Sequence, residues 1–139
     1  MRIFKSKWFV RYARKQRITD AKLIEAVQNA EKGLIDADYG RGVVKQRISR
    51  PGEGKSGGYR SIILFRKEAL AFFVYGFTKS DQGNIDESDE RDFKELAKVL
   101  LPLSEMELKK LTDSGKYTEV EYEETDETGD EENGQKDDD

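Results

Sequence analysis

The sequence predicts an α+β domain, in which a pair of N-terminal helices packs on a small, mainly antiparallel sheet and further helices follow. The sheet is predicted by two long apolar and aromatic runs, residues 59–65 and 70–78, joined by the short charged segment 66–68, a pattern typical of a hairpin in a sheet core. The helices are predicted by apolar side chains that recur every three to four residues on both sides of these runs. With 139 residues, the chain is long enough for one such domain and too short for two.

Two helices are predicted ahead of the sheet. Residues 2–5 allow only an edge strand or a lead-in, and residues 7–17 then carry an apolar stripe opposite a mostly cationic side, as in a basic amphipathic helix docked on a core. Helices of this kind also occur at membrane surfaces, but a docked helix is favoured because a second helix follows. Thr19 or Asp20 is the predicted N-cap of this second helix, and Gly33 is placed to end it.

A further strand is predicted between the helices and the hairpin. After a turn at 39–42, residues 43–48 alternate in polarity, which places Lys45 and Arg47 side by side on one face. The glycine-rich segment 51–58 that follows is predicted to be a loop carrying a few cations.

Helices are again predicted after the hairpin. Asn84 or Ser88 is a suitable N-cap for an amphipathic helix over 89–101, whose acidic first turn favours the helix dipole. Pro102 ends it. A capping box at 104–107 begins one more short helix, because its serine and glutamate satisfy each other's backbone donors.

The domain is predicted to span residues 1–123, with a possible edge strand at 117–122. From there on, residues 124–139 are acidic and contain no apolar residue, so they are predicted to form a disordered tail. This tail either masks a basic surface of the domain or only solvates the protein, and both interpretations stay open.

Charge is distributed very unevenly along the chain. The net charge is −4, yet residues 1–80 carry 18 Lys and Arg against 7 Asp and Glu, whereas residues 81–139 carry 7 against 22. The basic half therefore predicts a polyanionic partner. Histidine and cysteine are absent, which excludes disulfides, thiolate metal sites and His-based triads. No segment is apolar enough to span a membrane or to form a signal peptide, so the cytoplasm is the expected compartment.

Several motifs resemble the RelE/HigB superfamily of bacterial toxin–antitoxin systems. They are G-G-Y-R-S at 57–61, the apolar strand after it, F-F-V-Y-G-F-T-K at 72–79, and N-I before an acidic helix. The ending S-G-K-Y-T-E-V at 114–120 is similar to one branch of that superfamily. The resemblance implies a microbial-ribonuclease-like fold, cleavage of mRNA in the ribosomal A site without metal or other cofactor, and a cognate antitoxin, expected to be of the helix-turn-helix type.

The resemblance also implies roles for individual residues. Arg60 matches the arginine of the family's Y-R motif and would stabilise charge on the scissile phosphate, Lys79 would act as an acid or phosphate ligand, and Arg47 matches a basic residue on the preceding strand. Arg60 and Lys79 are expected to face solvent or substrate rather than the core. The predicted RNA-binding residues are Lys45, Arg50, Lys55, Arg66, Tyr75 and Phe77. For a single cation the simpler interpretation is a solvated surface charge, and core packing is favoured for at least one of the two aromatic residues.

The general base is not identified by the family pattern. Residues 80–86 contain no Tyr or His, and Asp81, Gln82 and Asp86 are weak substitutes. Besides an endoribonuclease, two other classes of function stay open. One is a ParE-type toxin that poisons DNA gyrase with the same fold, and the other is a non-catalytic RNA-binding module.

Overall fold

The computed structural model describes residues 1–50, 58–78, 80 and 82–121. Within these residues it contains four helices and six strands. They run in the order β1 Arg2–Ser6, α1 Lys7–Gln16, α2 Asp20–Glu31, β2 Ala37–Gly40, β3 Val43–Ile48, β4 Tyr59–Arg66, β5 Leu70–Thr78, α3 Glu87–Leu100, α4 Glu105–Asp113 and β6 Tyr117–Glu119. This architecture confirms the predicted α+β class. The predicted loop at 51–57, the domain limit at 123 and the tail at 124–139 lie outside the described residues.

The strands form one sheet in the order β2-β3-β4-β5-β1-β6. Neighbouring strands are antiparallel, except that β1 runs parallel to β5. Two local predictions were wrong. The segment 2–5 is an interior strand rather than an edge, because β6 pairs with its far side. The segment 39–42 is only partly a turn, because Ala37–Gly40 pairs with β3 as the edge strand β2.

The helical hairpin of α1 and α2 covers one face of the sheet, called here the hairpin face. Phe9 of α1 lies 5.2 Å from Phe73 of β5, measured between ring centroids, and both side chains are fully buried. Gly76 allows this close approach, because a Cβ at that position would lie 2.5 Å from the Tyr12 ring. The predicted basic amphipathic helix is therefore docked on the core through its apolar stripe.

The opposite face of the sheet is only partly covered. The α3 helix contacts β3 and β4, and α4 contacts β6. Beneath these helices lie Val43, Leu64 and Phe72, all fully buried. Arg47 and Arg60 occupy the same face at the other end of β3 and β4, opposite each other in the strand register. This end of the sheet, which the described parts of α3 and α4 do not cover, is called the open face.

Side-chain caps fix where the helices begin. Thr19 accepts a hydrogen bond from the backbone of Lys22 as the N-cap of α2, and the predicted capping box at the start of α4 is present. The cap of α3 is Asp86, whose side chain accepts a hydrogen bond from the backbone N–H of Asp89. The predicted caps Asn84 and Ser88 were wrong, because Ser88 lies inside the helix and the Asn84 amide oxygen accepts hydrogen bonds from Tyr39 and the Ile85 backbone. None of the described helices is long and apolar enough to cross a membrane.

Candidate active site

Strand register brings three of the predicted cations together on the open face. Arg47 of β3 lies directly opposite Arg60 of β4, and Lys45 lies two residues further along β3, opposite Ile62. Because side chains alternate along a strand, these three share one face. Two like charges directly opposite each other on neighbouring strands are destabilising. A negative charge nearby would therefore favour this arrangement.

Asp36 supplies that negative charge. Its Oδ2 atom lies 3.3 Å from Arg60 Nε and 3.5 Å from Lys45 Nζ. The residue directly precedes β2, and its backbone N–H donates to the carbonyl of Lys45, which holds it beside the cations. Sequence analysis missed Asp36 because β2 itself was not recognised, and an isolated aspartate before a turn carries no distinguishing signal.

Arg60 is less accessible than predicted. Only 7% of its side chain is exposed, so the expectation that it faces solvent was wrong. Burial is tolerated because the guanidinium is paired with Asp36, whose side chain is 34% exposed, and a buried charge needs such a partner. Arg60 is thus both a structural ion-pair member and a candidate phosphate ligand. Its removal will affect stability as well as activity.

The two aromatic candidates differ in exposure. Phe77 lies opposite Arg60 on β5 and is 2% exposed, so its predicted role in base stacking was wrong, because its ring is occupied by core contacts. Tyr75 is partly exposed and contacts the rings of Trp8, Phe77 and Phe93 at centroid distances of 4.7, 6.0 and 6.0 Å. These contacts hold Tyr75 at the edge of the open face.

Hydrogen bonds connect both sides of the open face to the segment that precedes α3. Tyr75 donates to Gln82 Oε1 at 2.8 Å, the Gln82 amide donates to the carbonyl of Asn84 at 2.7 Å, and Tyr39 donates to Asn84 Oδ1 at 2.6 Å. The pKa of Tyr39 is raised by burial and then by the negative charges of Glu90 and Asp36. Tyr39 therefore stays a neutral hydrogen-bond donor.

Two other predicted RNA-binding residues, Arg66 and Arg50, are not gathered at this site. Arg66 ends β4 beside the β4–β5 turn, six residues from Arg60 and thus roughly 20 Å away along the strand. The Arg50 guanidinium lies 5.2 Å from the centroid of the Tyr59 ring, which packs in the core on the hairpin face. Lys55 and Lys79 lie outside the described residues. Their roles stay predictions.

Within the described part of the chain, the site thus combines Lys45, Arg47 and Arg60 with the carboxylate of Asp36. Among the described residues, no cluster of three acidic side chains could hold a metal ion. Fixed guanidinium and ammonium groups on a sheet can bind a phosphate and stabilise additional negative charge on it. A carboxylate within the same group can accept a proton. These are the chemical capacities that the geometry provides.

Comparison with known families identifies the family to which the chain belongs. No curated protein matches the chain significantly. A family model described as the RelE toxin of the RelE/RelB toxin–antitoxin system matches residues 1–120, which is nearly all of the described domain. The match confirms the resemblance seen in the strand motifs. The chain therefore belongs to the RelE family of toxins from toxin–antitoxin systems.

Proposed function

We propose that this toxin is an endoribonuclease that cleaves mRNA in the ribosomal A site and thereby inhibits translation. The observation that carries the proposal is the opposed pair Arg47 and Arg60, with Lys45 and Asp36 beside it, on an open sheet face of a RelE-family chain. In a cell the toxin acts in the cytoplasm, where ribosomes are found, and is held inactive by a cognate antitoxin of the helix-turn-helix type.

The proposed reaction uses the RNA's own 2′-hydroxyl as the nucleophile. The 2′-oxygen forms a bond to phosphorus while the bond from phosphorus to the 5′-oxygen breaks, which leaves a 2′,3′-cyclic phosphate and a 5′-hydroxyl. Arg47 and Arg60 stabilise the negative charge that grows on the phosphoryl oxygens, since fixed donors aimed at developing charge are the strongest catalytic device available here. Lys45 supplies additional positive charge at the same face.

Proton transfer is assigned to two further residues. Asp36 accepts the proton of the 2′-hydroxyl, because it is the carboxylate that the structure places against the cations. Lys79, which matches the basic residue after the last strand of the family motif, gives a proton to the leaving 5′-oxygen. We prefer Asp36 to Gln82 and Asp86 for this role, whereas Asp81 lies outside the described residues.

The test is expression in a bacterium without an antitoxin, followed by primer extension on a translated message. We expect cuts within the reading frame that vanish when translation is blocked. Arg47→Gln should reduce cleavage by about 10²- to 10³-fold, as for the loss of one charge-stabilising donor, and Asp36→Asn by about 10²- to 10⁴-fold, as for the loss of a general base.

Arg66→Gln is the matched control. It removes the same charge from the strand that carries Arg60, but at the far end, so cleavage should fall by no more than the loss of one phosphate contact explains. Growth arrest with intact mRNA and altered DNA supercoiling would instead favour the gyrase-poisoning alternative. The third possibility is a non-catalytic RNA-binding module. It would be favoured if the protein binds RNA without cutting it and if Arg47→Gln lowers the affinity for RNA only by the loss of one phosphate contact.

A further inference from the structure

A depression of about 400 Å³ opens beside the candidate active site, at the edge of the sheet. Strand β2 pairs with β3 as far as Lys45, and the depression lies beyond that point. It is lined by Asn29, Leu34, Asp36, Gln46 and Arg47. Its volume lies within the range of pockets that hold small organic ligands. Because Asp36 and Arg47 also belong to the candidate active site, the depression is continuous with it.

Hydrogen bonds of the fold hold the walls of this depression in place. Leu34 follows Gly33, whose φ of 84° ends α2 in the left-handed turn typical of a glycine after a helix. The Leu34 N–H donates to the Asn29 carbonyl at 2.9 Å. Gln46 is 3% exposed, and its amide donates to two backbone carbonyls at 2.9 Å each, while its Oε1 accepts from the following backbone N–H at 3.3 Å. The depression is therefore preformed, and the Gln46 amide is already in use.

Asn29 offers the amide that the fold leaves to a ligand. The residue lies in the last turn of α2, and it is partly exposed. Within residues 1–50, 58–78, 80 and 82–121, no protein group forms a hydrogen bond with its side-chain amide. An amide presents a hydrogen-bond donor and an acceptor side by side. Asn29 can therefore recognise a ligand whose edge carries the complementary pair.

The remaining walls favour a flat and uncharged ligand. Leu34 is 62% exposed, which leaves its side chain available for an apolar contact. Arg47 and Asp36 carry one positive and one negative charge, so the lining is neutral as a whole. An acidic protein segment would be repelled by Asp36, and an apolar side chain would desolvate the Asn29 amide without replacing its hydrogen bonds with water. A nucleobase meets all of these conditions, because its faces are apolar and its edges carry donors and acceptors.

We propose that this depression, called here the base pocket, binds the base of the nucleotide whose 2′-hydroxyl attacks the phosphate, and that Asn29 reads the edge of that base. The Arg47 guanidinium can donate to the phosphate from its N–H edge while its planar face stacks on the base. An asparagine amide pairs with adenine through two hydrogen bonds, because adenine presents an amino donor beside a ring-nitrogen acceptor. Adenine is therefore the expected base.

The inference rests on the proposed function, because it assigns a specificity-determining residue to the same site. Asp36 lines both the base pocket and the candidate active site. A base held in the pocket brings its own ribose toward the carboxylate that accepts the 2′-hydroxyl proton. Binding of the correct base thus also orients the nucleophile, and correct orientation is a large part of the rate of such a reaction.

The test measures binding apart from cleavage. The probes are four trinucleotides with 2′-deoxy sugars, which cannot be cut because the nucleophile is absent, and they differ only in the central base. Asn29→Ala removes the amide and preserves helix propensity. Gln28→Ala is the matched control, because Gln28 is the exposed neighbour on α2 and carries the same amide group outside the base pocket.

The wild type should bind the adenine probe about 5- to 100-fold more tightly than the other three, as expected for one two-point contact between an amide and a base. The NMR signal of the Asn29 side-chain amide should shift on binding. Asn29→Ala should lose the preference for adenine, and Gln28→Ala should keep it. Asn29→Asp should prefer guanine, because a carboxylate accepts hydrogen bonds from the two neighbouring donors on the guanine edge.

Three results overturn the base pocket. The first is equal affinity of the wild type for the four probes. The second is a preference for adenine that survives in Asn29→Ala. The third is an Asn29→Ala variant that binds every probe like the wild type but loses affinity for its antitoxin, because the depression would then hold a side chain of that protein.

Cut sites are mapped separately by primer extension on translated messages. If the wild type cuts no mRNA but discriminates the probes through Asn29, the proposed nuclease function fails and the base pocket stands. If it cuts mRNA while Asn29→Ala changes neither the affinity for the probes nor the base on the 5′ side of the cuts, the base pocket fails alone. If both proposals hold, adenine is enriched on the 5′ side of the cuts made by the wild type and not of those made by Asn29→Ala.

Discussion

The two faces of the sheet are made by the same strands but differ in how far helices cover them. On β3, Val44 and Ile48 point to the hairpin face and are buried in its core. On the other face Val43 is buried beneath α3, whereas Lys45 and Arg47 lie further along the strand and remain partly exposed. The difference shows that the extent of helix cover decides where this sheet can carry charged side chains.

The two faces also satisfy their polar groups differently. On the hairpin face, the buried amide of Gln46 donates to the carbonyls of Ala26 and Leu34 at 2.9 Å each, so neutral hydrogen bonds suffice. On the open face, Arg60 is satisfied in part by an ion pair with Asp36. Polar groups on the hairpin face are therefore satisfied by neutral hydrogen bonds to backbone carbonyls. On the open face a charged side chain is satisfied by an ion pair, and a phosphate can contact the same charge.

The largest expected effect is a loss of stability from a substitution on the hairpin face. Phe73→Ala should lower the free energy of unfolding by about 3 to 5 kcal/mol, because it removes a fully buried ring between α1 and β5 and leaves a cavity. Urea unfolding of the variant measures the loss. Val99→Ala, at a side chain on α3 that is 60% exposed, is the control and should change stability by less than about 0.5 kcal/mol. A loss below about 1 kcal/mol for Phe73→Ala would contradict a tightly packed hairpin face.

A smaller effect is expected from the ion pair of the open face. Arg60→Gln should destabilise the fold by about 2 kcal/mol, less than the roughly 3 to 5 kcal/mol of a fully buried pair, because water reaches a third of the Asp36 side chain. A double-mutant cycle with Asp36→Asn should give a coupling of about 1 kcal/mol. Additive losses would show that the two residues do not stabilise each other.

Lys45→Gln should have a weaker effect than Arg60→Gln. Lys45 shares Asp36 with Arg60 at the longer distance of 3.5 Å, so Arg60 still neutralises the carboxylate when Lys45 is replaced. We expect a loss of less than about 1 kcal/mol in urea unfolding. A loss equal to that of Arg60→Gln would mean that both cations are needed to hold Asp36 in place.

The smallest effect concerns Tyr39 at alkaline pH. Burial and nearby acids raise its pKa, so the stability contributed by neutral Tyr39 is fully present below the unfolded-state tyrosine pKa of about 10 and is lost as the pH rises through the folded-state value. Tyr39→Phe should make thermal stability less sensitive to pH above about 10. Tyr117, whose pKa is also raised by burial, is the comparison. The same measurement is made on Tyr117→Phe. If thermal stability depends on pH in Tyr39→Phe and in Tyr117→Phe as it does in the wild type, neither tyrosine controls alkaline unfolding.

Local signals in the sequence were sufficient for much of the fold. Apolar runs located β4 and β5, helical spacing located α1 and α2, and the capping box located the start of α4. These features depend on residues close together in the chain, where side-chain spacing and backbone hydrogen bonding are decided locally. Alternation along β3 likewise predicted that Lys45 and Arg47 share a face, and the motif pointed to Arg60.

The sequence by itself determined the types of all the elements except β2, the uneven charge and the cations from which the site is built. Only the tertiary structure decided that β1 lies inside the sheet, that β2 exists as an edge strand, and that Asp36 is held against Arg60 and Lys45. It also decided that Phe77 is buried. The interior place of β1 depends on pairing with strands far away in the chain, which leaves no periodic signal in the sequence. The edge strand β2 is only four residues long and pairs with β3 through a register shift, so it is too short and too irregular to show alternation.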